Sequence, residues 1–196
     1  MTVDLAEIAR YMRMGRAIPE GELAARVVAL RDEALKVVRP ARTWRRFPIS
    51  AGAISSGGLR LDVRGTLARH LSGCGAVYLA CGTIGAGFDA LQRRVSVSSG
   101  VDALVVQAIG AAMIEKLMDE TNGEIAATLA PGETLISRYS PGYGDFPLAA
   151  QRTLLALIDA SRSVGVSLTD TLLMVPSKSV SAVIGVRTMS GERNAR

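Results

Sequence analysis

Hydrophobic positions recur first at helical spacing, then in strand-like alternation. Leu5, Ile8, Ala9 and Met12 share one helical face, with Thr2 ahead of them as cap and Gly15 as terminator. Pro19 sits at the first turn of a second helix, whose stripe runs Leu23, Val27, Leu30, Ala34, Val37 and Val38 up to Pro40. Two strand candidates follow. Residues 43–49 contain Pro48, which belongs on a sheet edge because proline offers no ladder donor. Residues 58–63 alternate, with Leu59, Leu61 and Val63 inward and Arg60 and Asp62 outward. Residues 66–70 read as one or two helical turns. The apolar run 76–81 reads as a buried strand, followed by Gly82, Gly85 and Gly87 and a helix from Phe88. Strand, glycines and helix outline a phosphate loop. The spacing fits neither G-x-G-x-x-G nor G-K-[ST], so a turn with close backbone packing is expected.

Residues 101–118 are apolar almost all the way round, the pattern of a buried central helix. Glu115 interrupts them, either at a wetted helix end or aimed into a site. Helix continues from 119 towards a turn at Pro131-Gly132, and 133–137 read as a short strand. Residues 148–164 predict one helix, with Leu154, Leu155, Leu157 and Ile158 inward, Gln151, Arg152, Asp159 and Arg162 outward, and Gly165 as its end. Two paired strands, 171–175 and 180–186, close the chain. The expected fold is α+β, a twisted, mainly antiparallel sheet flanked by long helices. Residues 1–40 form a helical arm, 41–190 the α+β core and 191–196 a tail.

Between strand and helix lies Arg138-Tyr-Ser-Pro-Gly-Tyr-Gly-Asp-Phe-Pro147. Two glycines and two prolines exclude a helix or an inner strand, so this is a shaped loop. It carries an arginine, two tyrosines and an aspartate between regular elements, a favourable place for a binding site.

Composition narrows the function. The single histidine, His70, has no metal partner in view, and a hydrogen-bonded structural role is expected over a base or ligand. Cys74 and Cys81 lack zinc spacing and read as reduced, mostly buried thiols of a cytoplasmic protein. No G-x-S-x-G elbow or Cys-His pair is present, so neither a hydrolase nor a metalloenzyme is indicated. The polar, acidic start does not resemble a secretion signal, and the uncharged run 71–88 is broken by five glycines, so no membrane span is expected. The net charge is +5, with one dense cluster at Arg39, Arg42, Arg45 and Arg46 around Trp44. It reads as a solvated face or as a steering surface for an acidic partner. It lacks the interleaved aromatics of RNA binders, and no nucleic-acid partner is expected.

The loop pattern R-x-x-P-G-Y-x-x-x-P resembles the reactivation domain of cobalamin-dependent methionine synthase. Residues 165–181 add G-x-x-L-T-x-x-x-x-M-x-P-x-x-S-V-S, in the same order as in that family. Residues 70–74 and 81–85, with Asp89 and Arg93, look like its shorter, stand-alone relatives. The resemblance implies a stand-alone reactivation subunit. Such a subunit binds S-adenosylmethionine and presents its methyl group for reductive remethylation of oxidised cobalamin on a partner, and is not competent alone. The partners implied are a cobalamin-binding methionine synthase or another corrinoid protein, and a flavodoxin-like electron donor. The resemblance places Arg138 on the ligand carboxylate, or in a salt bridge that fixes the loop. It places the backbone at Tyr139 and Ser140 near the adenine edge, Gly142 within the turn, and Tyr143 against ligand or cobalamin. Glu115 and Glu133 are the nearest acidic candidates for the ligand's positive end. Larger family members have Ala-Cys where Gly144-Asp145-Phe146 stands here. Two other readings are a non-catalytic adaptor of the same fold serving another corrinoid methyltransferase and a small-molecule sensor.

Overall fold

The computed structural model describes residues 2–15 and 17–188. In chain order the elements are α1 (Leu5–Tyr11), α2 (Gly21–Val37), β1 (Ala41–Pro48), β2 (Ala53–Ser56), β3 (Leu59–Asp62), α3 (Gly65–His70), β4 (Cys74–Thr83), α4 (Ala86–Ser98), α5 (Gly100–Ala126), β5 (Glu133–Tyr139), α6 (Ala150–Leu157), α7 (Ala160–Val164), β6 (Ser167–Leu168), β7 (Met174–Val175) and β8 (Ser179–Thr188). Four of the strands form an antiparallel sheet in the order β1-β4-β8-β5. Pro48 ends β1 on an edge, where its missing donor costs no ladder bond. The α+β class and the antiparallel sheet read from the sequence are both found.

Both faces of the sheet are covered. In β4, Val77, Leu79 and Cys81 point to one face with Val183 of β8, beneath the β2-β3 hairpin, α3, α6 and α7. Tyr78 and Ala80 point to the other, with Ile184 and Val186, against Met118 and Ile125 of α5. Beyond that layer α5 packs on α1, α2 and α4 through Ile8, Val27, Leu30, Phe88, Leu91, Ile109 and Met113. Gly110 lets α5 approach α4: a Cβ there would overlap the Phe88 ring. The turn after β4 packs tightly on the end of α2. Gly85 has φ +88° and lies against Arg39, and Gly87 lies against the Val37 carbonyl.

Several expectations fail for physical reasons. Asp4, not Thr2, caps α1 by accepting from Glu7 N at 2.7 Å. Leu59 is exposed, because β2-β3 is an isolated hairpin with only its inner side on the core. The N-terminal end of α5 leaves Val101 and Leu104 in solvent, although the helix is buried from Val105 onward on its core side. The helix expected over 148–164 is two helices, broken at Asp159, whose φ is 49°. In a continuous helix Ala160 would turn away from the face of Leu154 and Ile158; the break buries all three. Gln151, expected outward, is buried.

Residues 171–175 do not pair with β8. β4 pairs β8 over nearly its whole length and β5 pairs it from Val183 to Thr188, and the edge left open at 179–181 lines a cavity instead of receiving these residues. They form a turn with Leu172 at φ 67°, closed by Thr169, and β7 pairs with β6. The tail expected over 191–196 lies outside the described residues.

Substituting Gly87 sets two effects against each other. Alanine in a helix gains about 0.5–1 kcal/mol over glycine, but the new Cβ overlaps backbone that cannot rotate away, and overpacking of that kind costs about 1–3 kcal/mol. Gly87→Ala should therefore lower the urea midpoint; an unchanged or higher midpoint would show that α2 yields at this contact.

Candidate functional site

An irregularity in β5 sets the direction of Arg138. Leu135 pairs with Val186 and Arg138 with Ile184, so three steps along β5 match two along β8. Strict alternation would put residues 135 and 138 on opposite faces. The extra residue brings Arg138 to the α5 face instead. There Glu115 and Asp119, one helical turn apart, receive it. The guanidinium donates to Glu115 Oε2 at 2.7 Å and to Asp119 Oδ1 at 2.9 Å. Glu115 thus stands at mid-helix, paired with Arg138, and not at a helix end.

The loop after Arg138 is held from within and from below. Gly142, at φ 97°, donates to the Phe146 carbonyl at 2.8 Å, and Phe146 donates back to Tyr143 O at 3.0 Å. Phe146 is buried in the core and stacks on Tyr139, whose ring also lies 4.7 Å from the His70 ring. His70 donates from Nε2 to Ser137 O at 2.8 Å, the structural role expected of it. The residues that depart from the family pattern have a local function. Asp145 accepts from Thr66 N at 2.7 Å and from the Thr66 hydroxyl, so it caps α3 from across the chain, where Arg64 offers no capping side chain. These bonds hold its carboxyl below the usual aspartate range. Gly144 passes close over Thr66 and the Tyr139 hydroxyl.

Under the loop lies a cavity of about 370 Å³. Ser140, Pro141, Gly142 and Tyr143 form its roof, and Glu115 stands at its charged side. Leu148, Met174 and Val180 make apolar walls, and Gln151, Ser179 and Ser181 make a buried polar floor. Arg138 reaches this cavity through Glu115; neither its side chain nor that of Tyr139 lines it. Of the lining residues Tyr143 is 63% exposed and Leu148 is exposed, and so are Leu173 and Val175 on either side of Met174 in the chain. Larger hollows lie along α1 and α5 and beside β3. The first is mainly apolar. In the second the acids are engaged, Asp62 by Arg60 and Arg64, and Asp145 by Thr66.

Other candidate groups are occupied elsewhere. Glu133 lies at the far end of β5 and accepts from Arg46 and from Ala130 N, which hold its carboxyl below the ordinary range. It therefore contributes nothing to this cavity. Arg42 is paired with Glu124 and Glu120, Arg39 donates to Lys36 O and Val38 O, and Arg45 stacks over Phe47. Arg42 and Arg46 of the dense basic run are therefore compensated by acids of the protein itself, whereas Arg39 and Arg45 keep their charge. Cys81 is a free thiol pushed up to about 12 by burial, and burial also raises Cys74. Among the described residues no group of His, Cys, Asp and Glu is arranged to hold a metal ion, and no helix is long and apolar enough to cross a membrane.

Residues 126–192 match the family of the vitamin B12 dependent methionine synthase, activation domain. Among solved structures, a crystal structure of the MetH reactivation domain bound to AdoHcy is similar, with a TM-score of 0.61 and 16% identity. The similarity covers 92% of this chain and 73% of that one. No curated protein matches in sequence. The family resemblance carried by the loop and the 165–181 motif is borne out, and the fold with it.

The cap supplied by Asp145 has a pH signature. Its carboxyl titrates lower in the folded protein than in the unfolded chain, so its stabilisation is complete above about pH 4 and is lost as pH falls through the lower folded value. Asp145→Ala should be less stable than wild type at pH 7, and the two urea midpoints should converge in strong acid. A gap that persists unchanged down to pH 2 would assign the effect to packing.

Proposed function

We propose that this chain binds S-adenosylmethionine in the cavity beneath the 138–147 loop and presents its methyl group to cobalamin held by a partner protein, acting as a reactivation subunit. One observation carries the reading. A guanidinium and a carboxylate, Arg138 and Glu115, are paired at the charged side of a cavity with apolar walls. The ligand carries the complementary pair, a carboxylate and an ammonium beside a sulfonium. Arg138 stands behind Glu115, so the ligand's positive end takes Glu115 and its carboxylate takes the guanidinium that the opened bridge releases. Opening the existing bridge exchanges one charge-assisted partner of Arg138 for another, and Asp119 can stay in place. Each charge-assisted bond to the ligand contributes about 1.5–3 kcal/mol.

The chain's part in the reaction is binding and orientation, which raise the effective concentration of the methyl group at the corrin. When bound, cobalamin supplies the methyl-accepting metal centre. The exposed rim of Tyr143, Leu148, Leu173 and Val175 suits a small contact that releases between repair events. An electron donor of the flavodoxin type would serve the partner. The basic run at Arg42, Arg45 and Arg46 is a weak candidate for steering, because two of its three arginines have acidic partners of their own.

A second reading has one observation in its favour. Arg138 already has two carboxylate partners. If they are its whole function, the chain is an adaptor that keeps the fold without the ligand.

Calorimetric titration of wild type and Arg138→Ala with S-adenosylmethionine separates the two readings. The first expects a tenfold to hundredfold weaker affinity in the variant, with thermal stability nearly unchanged. Absence of binding by the wild type, alone and with a cobalamin-carrying methionine synthase, would overturn the first reading and support the adaptor.

A further inference from the structure

The floor of the cavity is unusual for its depth. Gln151, Ser179 and Ser181 are all more than nine-tenths buried, beside a layer built mainly from Val, Leu, Ile and Phe. Burying a primary amide without full hydrogen bonding costs free energy, so its unfilled bonding capacity points to a use. Gln151 Nε2 donates one hydrogen to Leu172 O at 3.1 Å. Its Oε1 accepts from the Ser181 hydroxyl at 3.4 Å, a long bond that leaves a lone pair open. One N–H and one lone pair of the same amide therefore remain free in a side chain that lines the cavity. The two existing bonds also fix which end is which. If the amide turned over, its oxygen would face the Leu172 carbonyl.

We propose that Gln151 is a specificity-determining residue of this cavity and reads the amino edge of an adenine ring. The inference rests on the function proposed above and assigns the ligand's orientation within it. Charge is confined to the Arg138–Glu115 side, so the zwitterionic end of the ligand stays there. The neutral polar floor takes the neutral heterocycle, with Met174 and Val180 against its faces. A fixed amide offers an acceptor to the exocyclic amino group and a donor to the adjacent ring nitrogen, the two-point match by which glutamine reads adenine. Hypoxanthine, with a carbonyl in place of the amino group, sets oxygen against Oε1 and is rejected. The backbone at Ser140 and Gly142 closes the roof over the same ring.

The test is calorimetric titration of the full chain with S-adenosylhomocysteine and with its deaminated analogue S-inosylhomocysteine. Wild type should prefer the adenine ligand by tenfold or more. Gln151→Met should lose most of that preference: the adenine ligand weakens about tenfold and the inosine ligand hardly changes. Ser181→Ala removes one of the two bonds that fix the amide and leaves the fold less disturbed. It should raise affinity for the inosine ligand severalfold. A purely structural Gln151 would weaken both ligands equally and leave their ratio intact, and that result overturns the proposal. Binding of the adenine ligand with no preference over inosine also overturns it, while leaving the proposed function standing. Failure of the wild type to bind either ligand removes both.

Discussion

One extra residue in β5 decides what the site is. Arg138 sits three positions after Leu135 yet faces the same side of the sheet, because β8 advances only two positions between their partners. Without that irregularity the arginine would point into the layer of Phe146 and Leu154, where an unpaired guanidinium has no place. With it, the arginine meets two carboxylates on the flank of α5. The cavity, its charged side and the start of the loop all depend on this shift. It also puts Tyr139 into the opposite layer, where His70 and Phe146 hold it.

The site combines a fixed base with an exposed edge. The loop is anchored by Phe146 in the core, by Asp145 on α3 and by hydrogen bonds across its own turns. Those contacts fix the backbone around Ser140 and Gly142, which would lower the ordering cost of the binding proposed above. Tyr143 alone of the loop's aromatic residues remains in solvent. Rigidity beneath and an apolar surface above suit a surface that holds a small molecule and is covered transiently by something larger.

Part of the surface charge is matched within the fold. Three arginines find acids far away in the chain: Arg42 on α5, Arg46 on β5 and Arg26 on Asp102. Net charge therefore overstates the local positive potential of the 39–46 segment. This is why a steering role for it loses ground once the fold is known, whereas Arg138 keeps its place in the reading.

Patterning alone located most elements. The edge position of β1 followed from Pro48, the buried β4 from its uncharged run, the helix after Gly85 and Gly87 from turn chemistry, and the site loop from its glycines and prolines. The motif pointed to the family without reference to structure. Three things lay beyond it. The 171–175 run has strand-like residues, but the chain turns at Leu172 and only Met174 and Val175 pair, with β6 and not with β8. Gln151 reads outward from its polarity, yet it shares the helical face of Leu154, Leu155 and Ile158, and the Ser181 hydroxyl that meets it comes from a distant strand. Arg138 could be named from its motif, but its direction depends on register with a strand some forty residues away. Local preference and hydrophobic period act within a few residues and so are written in the sequence. Register, edge availability and the pairing of distant charges are properties of neighbours, and only the folded chain supplies those.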